Sequence, residues 1–161
     1  MRFGEFAVRQ LRNTVLLFCT MALVSFGCLA QAKPTPTFEI RDLADSASAR
    51  KHMLKDQDGN KVFVGDTVFF SRTDMKSVEA VQNPEGEGGV LNITWDTKSA
   101  DRWTQYTGSR VGRRMAIIAN GKVLATPKLI DKIEHPGIMV SLPGMDLQQA
   151  KKMAKELSPG K

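Results

Sequence analysis

Residues 89–129 read GVLNITWDTKSADRWTQYTGSRVGRRMAIIANGKVLATPKL, and every boundary in the stretch carries its own chemical signal. Leu91, Ile93 and Trp95 alternate with polar residues, the period of a half-buried strand. Thr97 can cap a helix whose Ala100, Trp103, Thr107 and Val111 recur every three or four residues, with Gly112 as its stop. The spacing predicts that helix over 97–111. Met115 to Ala119 is apolar on both faces, as a central strand is. Asn120-Gly121 is a hairpin signal, because a type I′ turn needs positive φ at both central residues. Lys122 to Ala125 is the returning strand, limited by Pro127.

Downstream, Ile138 to Leu142 is a further strand. Asp146 caps a last helix over 146–157, with Gln149 at the capping-box position and Leu147, Ala150, Met153, Ala154 and Leu157 as its apolar stripe. Upstream, Phe38-Glu39-Ile40-Arg41 alternates as a first strand. Residues 44–61 turn polar and centre on a turn at Asp56-Gln57-Asp58-Gly59-Asn60, whose glycine stands too early for a calcium loop. Val62-Phe63-Val64 and Val68-Phe69-Phe70 are β-prone, split by Gly65-Asp66. Ser71 or Thr73 can start a helical turn over 74–77, and Val78 to Val81 is extended. Residues 83–89 form a glycine-rich loop that carries two Glu, lacks the Lys-Ser/Thr ending, and so is no phosphate cradle. The predicted fold class is α+β: a small, mostly antiparallel sheet with two main helices packed on one face.

Arg2, Arg9 and Arg12 precede an uncharged run from Asn13 to Ala30, and Ala30-Gln31-Ala32 is an A-x-A site. Residues 1–32 therefore read as a secretory signal cleaved after Ala32, with an uncleaved anchor and lipidation at Cys28 as the alternatives. Residues 33–37 form a Pro/Thr tether and residues 38–158 one domain. The leader carries three Arg and one Glu, so of the 23 basic and 17 acidic residues, 20 and 16 remain in 129 residues, a net charge of about +4. Both cysteines, Cys19 and Cys28, lie in the leader, so a cleaved chain holds neither a disulfide nor a catalytic thiol.

Few residues invite chemistry. His52 and His135 have no ligand set around them, so no metal and no cofactor is expected. Asp96 and Asp101 flank a helix start, where carboxylates complement the macrodipole. Arg110, Arg113 and Arg114 cluster at a helix end and are either dipole partners or an anion and headgroup patch. Trp95, Trp103 and Tyr106 fall on a helix–sheet seam as core residues.

In order and spacing, Thr107, Gly112-Arg113, Met115-Ala116-Ile117, Asn120-Gly121 and Pro127 resemble the head subdomain of the periplasmic domain of SecD, a component of the bacterial protein translocase. Ile133, Gly137, Ile138 to Leu142, Gly144, Ala150 and Leu157 continue the resemblance, which covers most of residues 38–157. Glu134-His135-Pro136 and Asp146 depart from the family pattern at a turn and a cap. The resemblance leaves out the rest of the SecD periplasmic domain and its membrane helices, so the proton-driven motor is not expected here. It implies a non-enzymatic module, periplasmic or tethered at the membrane's outer face. Its expected partner is a polypeptide or membrane protein, not nucleic acid, met through an exposed sheet edge. The alternatives are a periplasmic hydrolase working through Asp96, Asp101 or Glu134, and a membrane-tethered protein binding anionic lipid.

Overall fold

The computed structural model describes residues 35–44 and 51–159. The expected signal, its expected cleavage positions Ala30 and Ala32, and Cys28 lie outside the described residues. In chain order the elements are β1 (Phe38–Asp42), β2 (Lys51–Lys55), β3 (Lys61–Gly65), β4 (Phe70–Ser71), a 3-10 turn (Arg72–Asp74), β5 (Met75–Gln82) and β6 (Gly89–Trp95). Then follow α1 (Thr97–Gly108), β7 (Met115–Ala119), β8 (Lys122–Ala125), β9 (Gly137–Leu142) and α2 (Leu147–Leu157). One small sheet was expected; the chain builds two, ordered β3-β2-β8-β7-β1-β4 and β5-β6-β9, and strand dominates over helix. Pairing is antiparallel except where β2 meets β8.

The extra strand explains the difference. Lys51-His52-Met53-Leu54-Lys55 is too polar to announce itself, yet it pairs along its whole length with β3. Val64 of β3 then bridges Leu43, just past β1, and the Ala44 N–H donates to the Phe63 carbonyl at 2.9 Å. Strands β1, β7, β8, β2 and β3 thus run in a ring that returns to its start. Val64, Ala116, Ile118 and Val123 form a small core on one face of these strands, flanked by Leu43, Leu54 and Val62. The opposite face of β1 and β7 sends Phe38, Ile40, Met115 and Ile117 into the main core. Strand β7 is buried at all five positions and lies between β8 and β1, as its two-sided apolarity requires. Its hairpin turn has φ of 51° at Asn120 and 74° at Gly121, the type I′ combination.

In the three-stranded sheet, the face of β6 that carries Gly89, Leu91, Ile93 and Trp95 meets both helices. A Cβ placed on Gly89 would collide with that of Ala150 in α2, and the Trp95 ring lies 5.4 Å from that of Trp103 in α1. Helix α2 begins at the expected capping box: Asp146 Oδ1 accepts the Gln149 N–H at 2.7 Å and Gln149 Oε1 accepts the Asp146 N–H at 3.0 Å. Helix α1 differs from expectation at both ends. Asp96, not Thr97, is its cap, accepting the Ser99 N–H at 2.7 Å. It stops at Gly108, three residues early; there Thr107 donates its hydroxyl to the Trp103 carbonyl and accepts the Ile133 N–H, tying the last turn to a neighbouring loop. The helical turn expected over 74–77 is the 3-10 turn Arg72–Asp74, with β5 starting at Met75. Of Val68-Phe69-Phe70 only Phe70 is in a strand.

Candidate functional site

Of the three carboxylates considered for hydrolysis, two are engaged by protein donors and the third is simply exposed. Asp96 caps α1, and its pKa is held below 3.8, foremost by the Ser99 N–H it accepts. Glu134 accepts Lys132 Nζ at 3.0 Å on the surface, and Asp101 is exposed on α1. Neither of two surface clefts, near 500 and 290 Å³, is lined by any of them. Both histidines are exposed; His52 Nε2 stands 3.5 Å from Asp66 Oδ1, and the His135 carbonyl accepts the Gly137 N–H. Among the described residues no three His, Cys, Asp or Glu side chains converge as a metal site would need.

The arginine cluster divides. Arg110 Nε bonds Asp42 Oδ1 at 2.9 Å, and its guanidinium covers the rings of Phe69 and Tyr106 at 4.3 and 4.4 Å. Tyr106 also donates to Asp42, and burial foremost, with the Asp42 charge, pushes its phenol pKa far up. Arg110 is thus a packing residue that joins α1 to β1, not part of an anion patch. Arg113 and Arg114 stay exposed. Trp95 and Trp103 are core residues against Phe70.

One polar hub was missed from the sequence. Asp74 Oδ2 accepts the Ser71 N–H at 2.7 Å, Oδ1 accepts the Ser99 hydroxyl at 3.0 Å, and Arg102 pairs with it. Its carbonyl accepts the Asp96 N–H at 2.9 Å. Burial would raise its pKa, but these donors outweigh burial and hold it below 3.8. The Ser71-to-Asp74 spacing was the available signal, read there as a plain helix start.

The feature that can engage a ligand is an edge. Strands β5 and β9 each pair only with β6, so both outer strands carry an unpaired backbone edge, with β9 lying near β8 along part of its length. The Trp95 N–H donates to the Pro136 carbonyl at 2.9 Å, which makes residues 95 and 136 a hydrogen-bonded pair. Antiparallel alternation then turns the N–H and C=O groups of Met139 and Ser141 away from β6. Met139 is 57% exposed. Beyond β9, Pro143 and Gly144 line the larger cleft opposite β8 and the Asp56–Asp58 turn. There β8 is unpaired on its far side after Lys122, and the Leu124 carbonyl accepts the Gln57 side-chain amide at 3.1 Å.

Comparison with known proteins places this geometry. The profile of the SecDF P1 head subdomain matches residues 49–161. The protein translocase subunit SecD of Acidaminococcus fermentans is 27% identical over 107 residues, which cover 66% of this chain and 24% of that protein. The chain therefore spans about a quarter of that relative. A structure described as a membrane component SecDF that enhances protein export matches at a TM-score of 0.61 and 16% identity, over 76% of this chain and 62% of that one. SecDF in a super-membrane-facing form matches at 0.62 and 15%, over 76% and 18%. At such identities the two structures show a common fold. No helix among the described residues is long and apolar enough to cross a membrane.

Proposed function

We propose that this chain, which belongs to the SecDF P1 head subdomain family, is an exported, non-enzymatic module that holds extended polypeptide at the free edge of β9. The observation that carries this reading is the row of outward backbone groups at Met139 and Ser141 beside an exposed methionine. An extended segment added there gains main-chain hydrogen bonds with little demand on its sequence, and a flexible thioether accommodates varied side chains. A protein described as enhancing protein export, sharing the fold, supports polypeptide as the ligand class. The leader, cleaved after Ala32, delivers the module to the periplasm or the outer face of the inner membrane.

The test is titration of the purified protein with unfolded model peptides, read by amide chemical shifts. Micromolar binding, centred on β9 and competed by unrelated extended peptides, is expected. Met139→Pro removes one outward N–H without touching the β6 ladder, and should weaken binding roughly three- to tenfold, the worth of one net hydrogen bond of ~0.5–1.5 kcal/mol. Shifts elsewhere with β9 silent would sink the proposal. So would turnover of a glycan or small molecule that is lost on replacing Asp96, Asp101 or Glu134.

A further inference from the structure

Past β8 the chain does not leave β7. Met115 donates its N–H to the Pro127 carbonyl at 3.1 Å, Arg114 bridges Lys128, and the Leu129 N–H donates to the Arg113 carbonyl at 2.8 Å. The Leu43 N–H adds a bond to the Arg114 carbonyl at 3.1 Å, fixing this ribbon to the end of β1. Met115 and Leu129 point into the main core. Strand alternation therefore turns Arg114, Lys128 and Ile130 to the outer face.

That outer face is unfavourable for folding alone. Arg114 and Lys128 are like charges directly opposite one another, an arrangement that costs stability. Among the described residues no carboxylate forms an ion pair with Arg113, Arg114 or Lys128. Asp42 holds Arg110, Glu134 holds Lys132, and Asp131, next to Ile130, accepts the Lys132 N–H at 2.7 Å. Two residues past Lys128 an aliphatic side chain stands in water, Ile130 at 85% exposure. Gly112, whose N–H donates to the Leu129 carbonyl at 2.7 Å, brings no side chain to this end of the ribbon.

We propose that this ribbon tip docks the chain on an anionic lipid surface, with Arg114 and Lys128 on headgroup phosphates and Ile130 in the acyl–headgroup boundary. Unpartnered cations near a projecting aliphatic side chain match what such a surface offers. An acidic protein partner fits less well, because neither cleft is lined by these residues and a projecting isoleucine needs a yielding medium rather than a slot. The surface is distinct from the β9 edge, so the two readings stand or fall separately.

The test uses the full chain with phosphatidylglycerol–phosphatidylcholine vesicles and with pure phosphatidylcholine vesicles, read by hydrogen exchange. Because the readout is local, membrane contact by the leader does not obscure it. On the anionic vesicles, exchange at residues 111–114 and 128–131 should slow by about an order of magnitude, an effect lost in molar salt where the screening length falls to ~3 Å. The double substitution R114Q/K128Q should abolish that protection while β6 and β7 exchange as before, which verifies the fold. Ile130→Ser should reduce it and leave its salt dependence. Equal exchange on both vesicle types overturns the proposal, as does protection by a soluble polyglutamate peptide with none by vesicles.

Discussion

Replacing Gly89 by alanine tests how α2 is seated on β6. Considered as a strand residue alone, the glycine is a liability, and alanine should stabilise by roughly 0.5–1 kcal/mol. Its surroundings reverse the sign. The added methyl would collide with the Ala150 Cβ and stand 3.2 Å from the Asp146 carbonyl oxygen and 3.4 Å from the Leu147 Cα. Two of these three neighbours are backbone, and the Asp146–Gln149 capping box fixes that first turn. Overpacking of this kind costs about 1–3 kcal/mol, and rigid neighbours put the value in the upper half. After the propensity gain, a net loss of about 1–2.5 kcal/mol remains, or a melting point lower by roughly 4–12 °C. Urea denaturation of Gly89→Ala, Ala150→Gly and the double variant supplies the measurement. Ala150→Gly is destabilising by itself, by about 1 kcal/mol from helix propensity, but it removes the colliding atom. The double variant should therefore be more stable than the sum of the singles predicts, by about 1–2 kcal/mol. A stabilised Gly89→Ala, or singles that add within ~0.5 kcal/mol, would refute the close approach.

Gly121→Val should destabilise by at least about 1–2 kcal/mol, since a β-branched residue resists the positive φ of the β7–β8 turn; an unchanged melting temperature would contradict it. Asp74→Asn should cost about 1.5–3 kcal/mol at neutral pH, where the charged carboxylate accepts from the Ser71 N–H and hydroxyl, the Ser99 hydroxyl and Arg102. Because folding lowers this pKa, its contribution is complete above the unfolded value near 3.8 and fades as pH falls below it. The difference between wild type and Asp74→Asn should accordingly shrink in acid denaturation below about pH 4, and a constant difference would argue against the hub. Mass spectrometry of the exported protein should find Lys33 at the N-terminus; intact Met1 on a membrane-bound form would favour the anchor.

What was legible in the sequence was what neighbouring residues decide among themselves. Asn120-Gly121, the Asp146–Gln149 box and the alternation of Leu91, Ile93 and Trp95 each carry their signal within a few residues, and each appears as expected. The errors fall where partners are distant. Strand β2 is polar and exists because β3 folds back on it, and the strand ring closes through residues 43 and 64. The last turn of α1 is tied to Ile133, 26 residues away from Thr107. At the surface, the arginine cluster was visible but not its division, because the residue that claims Arg110 is Asp42, 68 positions upstream. The like-charged pair of Arg114 and Lys128 needed the register, which composition does not contain.

The indole N–H groups of Trp95 and Trp103 are buried where α1 meets the sheets, and among the described residues neither finds an acceptor. An unsatisfied donor in the interior costs about 1–3 kcal/mol, a penalty that vanishes as soon as one water molecule reaches it. These are the chain's only two tryptophans. Intrinsic fluorescence therefore reports this one seam with no label added, and a red shift before global unfolding would time the moment at which solvent enters.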